Sequence, residues 1–244
     1  MPTADSQSVE IVVDDATRVS GILIAPRDSE ACFVVAHGAG AGMHHPFMAK
    51  LANDLAGRRI ATLRYQFPYM EKHSKRPDTP AVCHAAVRAA VAAAAALVPS
   101  LPLMAGGKSF GGRMTSQAQA VAPLPGVRGL VFLGFPLHPP KQPSGTRGEH
   151  LARVQIPMLF LQGARDAFAE PDFLNPLVKR LGSLATLCLL LDADHSFHVP
   201  ARSGVNDAEI NAEMLAALAN WVETVAQRPA VSAGAQVQSG RASS

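Results

Sequence analysis

Aromatic residues are scarce in this 244-residue chain, at 5% of the total, and the formal net charge is only +3. There is no long basic stripe and no interleaving of cations with aromatic rings, so nucleic acid is not expected as a partner. Cysteine is also sparse. Cys32, Cys83 and Cys188 are odd in number and lack metal-ligand spacing. A disulfide framework is therefore not expected, and buried thiols in a reducing compartment are. No apolar run approaches the ~18 residues of a membrane span; the longest, Ala89 to Val98, is mostly alanine. The opening Met1-Pro-Thr-Ala-Asp-Ser-Gln-Ser has neither the basic start nor the apolar core of a secretory leader. The expectation is a cytoplasmic protein that engages neither membrane nor nucleic acid. These features leave its oligomeric state open.

What the chain does have is apolar mass: 48% of its residues are hydrophobic, enough for one large α/β domain. Strand-like runs occupy Val9–Val13, Gly21–Ala25, Cys32–Ala36, Ile60–Tyr65, Leu101–Ala105, Leu130–Leu133, Met158–Leu161 and Thr186–Leu191. Helix-like segments alternate with them. Thr79-Pro80 reads as an N-cap followed by a first-turn proline. Pro171 opens a helix that closes on Lys179 and Arg180 before Gly182. Asn206 and Glu209 form a capping-box pattern ahead of the apolar stripe Ile210, Met214, Leu218, Trp221, Val222 and Val225. Alternating β and α elements imply a mostly parallel sheet with helices on both faces, whose sites lie at the carboxyl ends of the strands. Residues 1–8 and 228–244 are expected to be disordered around a domain spanning 9–227. The proline-rich stretch from Phe135 to Gln155, with a short helix near Glu149–Val154, is too short for a separate cap domain.

One segment carries chemistry. Leu101 to Ala105 is an apolar run that stops at Gly106-Gly107, and Ser109 follows between Gly107 and Gly111. The pattern G-x-S-x-G between a strand and a helix is the sequence form of a nucleophile elbow. Side chains at Gly107 and Gly111 would collide with the neighbouring strand and helix, and Ser109 would sit in a strained turn. A serine hydroxyl needs a base, and the base needs an orienting acid. The chain supplies both, in the order Ser, acid, His. Asp166 follows the strand ending at Leu161, and His195 follows the strand ending near Leu191. His198 competes with His195, and Asp192 and Asp194 with Asp166, but Asp192 and Asp194 are close in sequence to the histidine. The oxyanion donors expected are the N–H of Phe110 and that of Ala39 or Gly40, in the turn after Cys32–Ala36.

Two other chemistries fit poorly. Gly107-Lys108-Ser109 resembles the end of a phosphate-binding loop, but the first glycine of that motif would fall at Pro102. His44-His45 and His195/His198 lack a third metal ligand with suitable spacing. No metal or other cofactor is expected. Arg64 follows a strand and reaches either the site or loop carbonyls.

Ala36-His37-Gly38-Ala39-Gly40, Gly107-Lys108-Ser109-Phe110-Gly111-Gly112-Arg113, Gln162-Gly163-Ala164-Arg165-Asp166 and Asp194-His195 together resemble an α/β-hydrolase. More narrowly, the chain is similar to small bacterial dienelactone-hydrolase-like enzymes. Arg64-Tyr65-Gln66-Phe67-Pro68-Tyr69 and Gly134-Phe135-Pro136-Leu137-His138-Pro139-Pro140 resemble the group related to the nuclear NSL-complex regulatory subunit 3 and its testis-expressed relative. The resemblance covers roughly residues 10 to 226. It implies the α/β-hydrolase fold with an eight-stranded sheet, and Ser109, Asp166 and His195 as a catalytic triad. It departs from dienelactone hydrolase itself, which uses cysteine where this chain has Ser109, so that substrate does not carry over.

The expected function is a serine hydrolase acting on a small-molecule ester or related acyl substrate. The expected cleft is open, bordered by Phe67–Tyr69 and Leu137–Pro140, with His37, Arg64, Phe67, Tyr69, Leu137 and His138 as candidate lining. The competing reading is a non-catalytic binding or scaffold module on the same fold, with the proline-rich loop as its partner surface. A scaffold has no need of all three catalytic groups.

Overall fold

The computed structural model describes residues 5–74, 76–139 and 141–228. Eight strands form one sheet: β1 (Ser6–Val12), β2 (Arg18–Ile24), β3 (Ala31–Ala36), β4 (Ile60–Tyr65), β5 (Leu103–Lys108), β6 (Val127–Leu133), β7 (Met158–Gly163) and β8 (Ala185–Leu190). Their order is β1-β2-β4-β3-β5-β6-β7-β8. The β1/β2 and β2/β4 pairs are antiparallel and all others are parallel. β3, β4 and β7 are buried at every position, as expected for parallel strands covered on both faces.

Among the described residues, six α-helices cover the sheet: α1 (Pro46–Ala56), α2 (Pro68–Glu71), α3 (Pro80–Leu97), α4 (Phe110–Val121), α5 (Pro171–Leu181) and α6 (Asp207–Ala226). Met48 and Leu51 of α1 pack with Ile210, Met214 and Trp221 of α6 in one apolar layer. The opposite layer holds Cys83 and Val87 of α3, Met114 of α4 and Leu174 of α5. Every residue of the α6 stripe is buried, and Asn206 and Glu209 complete a reciprocal capping box. Thr79 occupies the N-cap of α3 with Pro80 in the first turn, but its hydroxyl makes no capping bond. By length and composition α3 could cross a bilayer, with a mean hydropathy of 1.5. Here its Cys83, Ala86, Val87, Ala90, Val91 and Ala94 are buried within the fold.

Several boundaries differ from those read in the sequence. β1 begins at Ser6, inside the segment expected to be disordered, because Ser6, Gln7 and Ser8 pair with Ile24, Leu23 and Ile22. Ladder hydrogen bonds hold this polar edge, and hydropathy does not register them. Arg228, placed in the expected tail, is described; its carbonyl accepts a bond from Arg128 at 3.2 Å. The rest of that tail, 229–244, lies outside the described residues, as do 1–4. The stretch expected to be a short helix at Glu149–Val154 is a longer 3₁₀ segment over Thr146–Arg153.

Candidate active site

Ser109 stands between the end of β5 and the start of α4 with φ 50° and ψ −114°. A non-glycine residue with positive φ persists only where its surroundings enforce it; here the Ser109 N–H donates to the Leu133 carbonyl of β6 at 3.0 Å and its carbonyl accepts the Arg113 N–H at 3.1 Å. A Cβ on Gly107 would come within 2.3 Å of the Ala36 carbonyl oxygen, and one on Gly111 within 2.6 Å of the Ala36 and His37 carbonyl oxygens. The two flanking glycines thus let the elbow press against the end of β3, which delivers the His37–Gly42 turn beside Ser109.

Ser109, Asp166 and His195 all follow carboxyl ends of strands, β5, β7 and β8 respectively. Nε2 of His195 lies 2.8 Å from the Ser109 hydroxyl. Its Nδ1 lies 2.7 Å from Oδ2 of Asp166. An ionised carboxylate only accepts hydrogen bonds, so Nδ1 carries the proton and Nε2 is left to accept from the serine hydroxyl. The Asp166 side chain is fully buried and that of His195 is 20% exposed. Asp166 is itself held in place: its Oδ1 accepts the Phe168 N–H at 2.8 Å, and Gln162 Nε2 donates to its Oδ2. Gln162 in turn accepts the Phe135 N–H at 2.8 Å. The Phe168 ring lies 4.4 Å from the imidazole, centre to centre.

The competing residues are placed elsewhere. Asp194 uses Oδ1 to accept the N–H groups of Ser196 and His198, at 2.7 and 3.0 Å, and so builds the loop rather than facing its imidazole. His198 is exposed and bonds Asp207 at 2.8 Å. Asp192 offers its backbone carbonyl to Arg165.

Of the expected oxyanion donors, Phe110 opens α4, where the first N–H groups lack helical acceptors. Among the described residues, neither the Phe110 nor the Ala39 N–H donates a hydrogen bond. Gly40 differs: its N–H donates to the Tyr69 hydroxyl at 3.1 Å. That bond engages the Gly40 N–H, whereas the Ala39 N–H is free to donate.

The expected open cleft is not what these residues form. His37, Phe67, Tyr69, Leu137 and His138 are all buried, and Arg64 is 8% exposed. His37 braces two segments. Its Nδ1 donates to the Gly38 carbonyl at 2.7 Å, and its Nε2 accepts the Phe67 N–H at 3.1 Å. Burial pushes its pKa down to about 4, so the ring is neutral. Phe67, Tyr69 and Phe110 pack as an aromatic cluster. His138 bonds the Pro139 carbonyl at 2.8 Å and the Glu170 carboxylate, joining the segment after β6 to the start of α5. Arg64 makes no bond to Ser109, Asp166 or His195, and its Nε and one terminal nitrogen are buried without partners. Pro140, the far border of the expected cleft, lies outside the described residues. A cavity of about 480 Å³ adjoins the turn at Gly40, Met43, Gln66 and Met70. Another of about 410 Å³ lies remote from Ser109, against Glu30, Arg59 and Arg128. Neither includes Ser109, which is itself partly exposed.

Sequence reasoning did not single out Gln162 or Phe168, and it met Lys108 only inside the phosphate-loop and elbow motifs, with no role of its own. The position of Gln162 at the end of β7 offered a signal, since that end faces the site. Only the register of β7 against β6 and β8 shows where its amide points.

Residues 29–223 match the alpha/beta hydrolase domain family. The chain belongs to that family. Its fold is also that of several solved structures. A dienelactone hydrolase from Anabaena variabilis superposes with a TM-score of 0.72 at 18% identity, covering 91% of this chain and 99% of that one. A serine hydrolase without lid from Xanthomonas campestris gives 0.68 at 18% identity, over 91% and 96%. The esterase domain of a Rhodothermus marinus protein gives 0.67 at 15% identity, over 91% and 99%.

Proposed function

We propose that the protein is a serine hydrolase that cleaves a carboxylic ester or related acyl bond. The observation that carries this reading is the continuous hydrogen-bond path from Ser109 through His195 to Asp166, with distances of 2.8 and 2.7 Å. Ser109 attacks the carbonyl carbon while Nε2 of His195 takes its proton. Asp166 holds the imidazole and stabilises its charged form. The carbonyl oxygen becomes an oxyanion, held by the N–H groups of Phe110 and Ala39. Collapse expels the alcohol, which takes the proton from His195. Water then attacks the acyl-enzyme with His195 again as base, and the acid and Ser109 are released. No step in this scheme requires a cofactor.

The partly exposed serine, and the lack of a cap domain among the described residues between β6 and β7, favour small or protruding acyl groups. The motifs Arg64–Tyr69 and Gly134–Pro140 support a place beside the group related to NSL-complex regulatory subunit 3. Three free thiols, two of them buried, fit a reducing setting such as the cytoplasm. Short-chain nitrophenyl esters, thioesters and aminoacyl amides, assayed with wild type and Ser109→Ala, test the reading. Turnover of at least one class that vanishes in the variant supports it. Equal turnover in both overturns it, and none by folded wild type across the panel overturns it in favour of a binding module.

A further inference from the structure

The loop from Asp192 to His198 is conformationally expensive. Asp192 and Phe197 both have positive φ, 60° and 64°, a region that non-glycine residues occupy only when held there. The loop is anchored on its outer side, where Arg165 N–H donates to the Ala193 carbonyl at 2.9 Å and Ala164 N–H to Leu190 at 3.0 Å. Neither bond reaches β5, which carries the nucleophile and stands three strands from β8. From β5 comes Lys108. Its ammonium donates to the backbone carbonyl of His195 and lies 4.8 Å from the centre of the Phe197 ring. Gly134, at the end of β6, opens the passage. A Cβ there would stand 2.9 Å from Nζ of Lys108 and 3.4 Å from Nδ1 of His195. Among the described residues, no other hydrogen bond joins β5 to this loop besides the Ser109–His195 bond itself.

We propose that Lys108 is a positioning residue for His195: its ammonium clamps the histidine loop to the strand that carries Ser109, and fixes the imidazole within reach of the hydroxyl. Lys108 touches neither substrate nor the reacting atoms; it acts through the His195 backbone and the Phe197 ring. The negative charges of Asp166 and Asp194 favour the charged form of the ammonium, whereas desolvation opposes it. Desolvation is the larger effect and pushes the group down to about 8. The cation is therefore present below pH 8 and is lost as pH rises through that value. A neutral amine still donates a hydrogen bond, but loses its attraction to the ring and the charge assistance of the bond.

The inference rests on the hydrolase reading for its catalytic consequence, but not for its structural one. Two measurements separate them. In Lys108→Met, whose folding is checked by circular dichroism, kcat for a nitrophenyl ester is expected to fall by ~100-fold with KM little changed, the cost of a misplaced base. Lys108→Arg is expected to restore part of the rate and to lack the decline in kcat that loss of the ammonium predicts for wild type above pH 8. Proton NMR at pH 7 reports independently of turnover. The downfield Nδ1–H resonance of His195 is expected in wild type and Lys108→Arg, and broadened beyond detection in Lys108→Met. Phe197→Leu, which strips the ring from the ammonium, gives the same changes in smaller measure and serves if Lys108→Met does not fold. A full rate and an intact resonance in Lys108→Met, or in Phe197→Leu if that variant must stand in, overturn the clamp. Failure of wild type to hydrolyse any ester, thioester or amide of the panel, with the resonance still dependent on Lys108, overturns the hydrolase reading and leaves the clamp standing.

Discussion

His195 passes directly over Gly134: a Cβ added to the glycine would lie 3.4 Å from Nδ1 of the imidazole. The histidine comes from β8 and the serine from β5, with β6 and β7 between them. The loop closes that gap by crossing the end of β6, where the chain has no side chain and a φ of 70°. Gly134→Ala is expected to cost about 1–3 kcal/mol of stability through the positive φ alone. It also displaces Lys108 and the loop, so kcat should fall by at least ~10-fold beyond any loss of folded protein. Thermal unfolding and steady-state kinetics on the same preparation separate the two effects. An unchanged kcat would mean that the loop does not depend on this passage.

Asp166→Asn should leave the fold intact and lower kcat by ~10⁴-fold, because an amide at this position no longer enforces the proton on Nδ1. Gln162→Leu should act in the same direction but more weakly. It removes the amide that bonds both Asp166 and the Phe135 N–H, so its loss is expected in stability as well as in rate. Kinetics on both variants check the ordering. An active Asp166→Asn would contradict the role assigned to that carboxylate.

Tyr69→Phe tests the oxyanion assignment. The tyrosine hydroxyl accepts the Gly40 N–H, and its removal leaves that donor without its partner, at a cost of about 1–3 kcal/mol. With Ala39 as the oxyanion donor, the turn loosens and kcat falls. With Gly40 as the donor, freeing its N–H would raise kcat. The sign of the change, read in a nitrophenyl ester assay, decides between them.

Much of this site was legible in the sequence, because its parts obey local rules. The elbow needs glycine on both sides of Ser109, and each of the three side chains proposed as the triad follows a strand that reads as a buried apolar run. The α6 capping box and stripe were legible for the same reason. What was not legible depends on register and on crossing. Phe67, Leu137 and His138 follow strands on the correct edge of the sheet, and from that alone they read as cleft lining. Their burial comes from packing across the sheet edge, where His37 joins the two segments at Gly38 and Phe67 and His138 ties down the start of α5. Lys108 lies in the one-residue gap of a motif whose pattern specifies only the glycines and the serine. Its partner, the His195 carbonyl, is 87 positions away, and no periodicity links them.

Acid should weaken the fold through His37. Burial lowers this group from 6.5 to about 4. Below pH 6.5 the unfolded chain binds a proton that the folded protein refuses, so stability falls as pH drops from about 6.5 to about 4. Beneath that both states are protonated and the loss levels off. The full contribution is about 3 kcal/mol. Urea unfolding of wild type and His37→Gln across this range checks it: the difference between the two should change with pH in that window. A constant difference would contradict a neutral His37 in the folded state.

The most direct test of the central claim is the site of covalent reaction with a fluorophosphonate, read by mass spectrometry of the peptides after labelling at neutral pH. The account predicts one phosphonyl group per protein, carried on Ser109, with strongly slowed labelling in His195→Ala and none at this position in Ser109→Ala. Folded wild-type protein that remains unlabelled, or that carries the group on another residue, would contradict it.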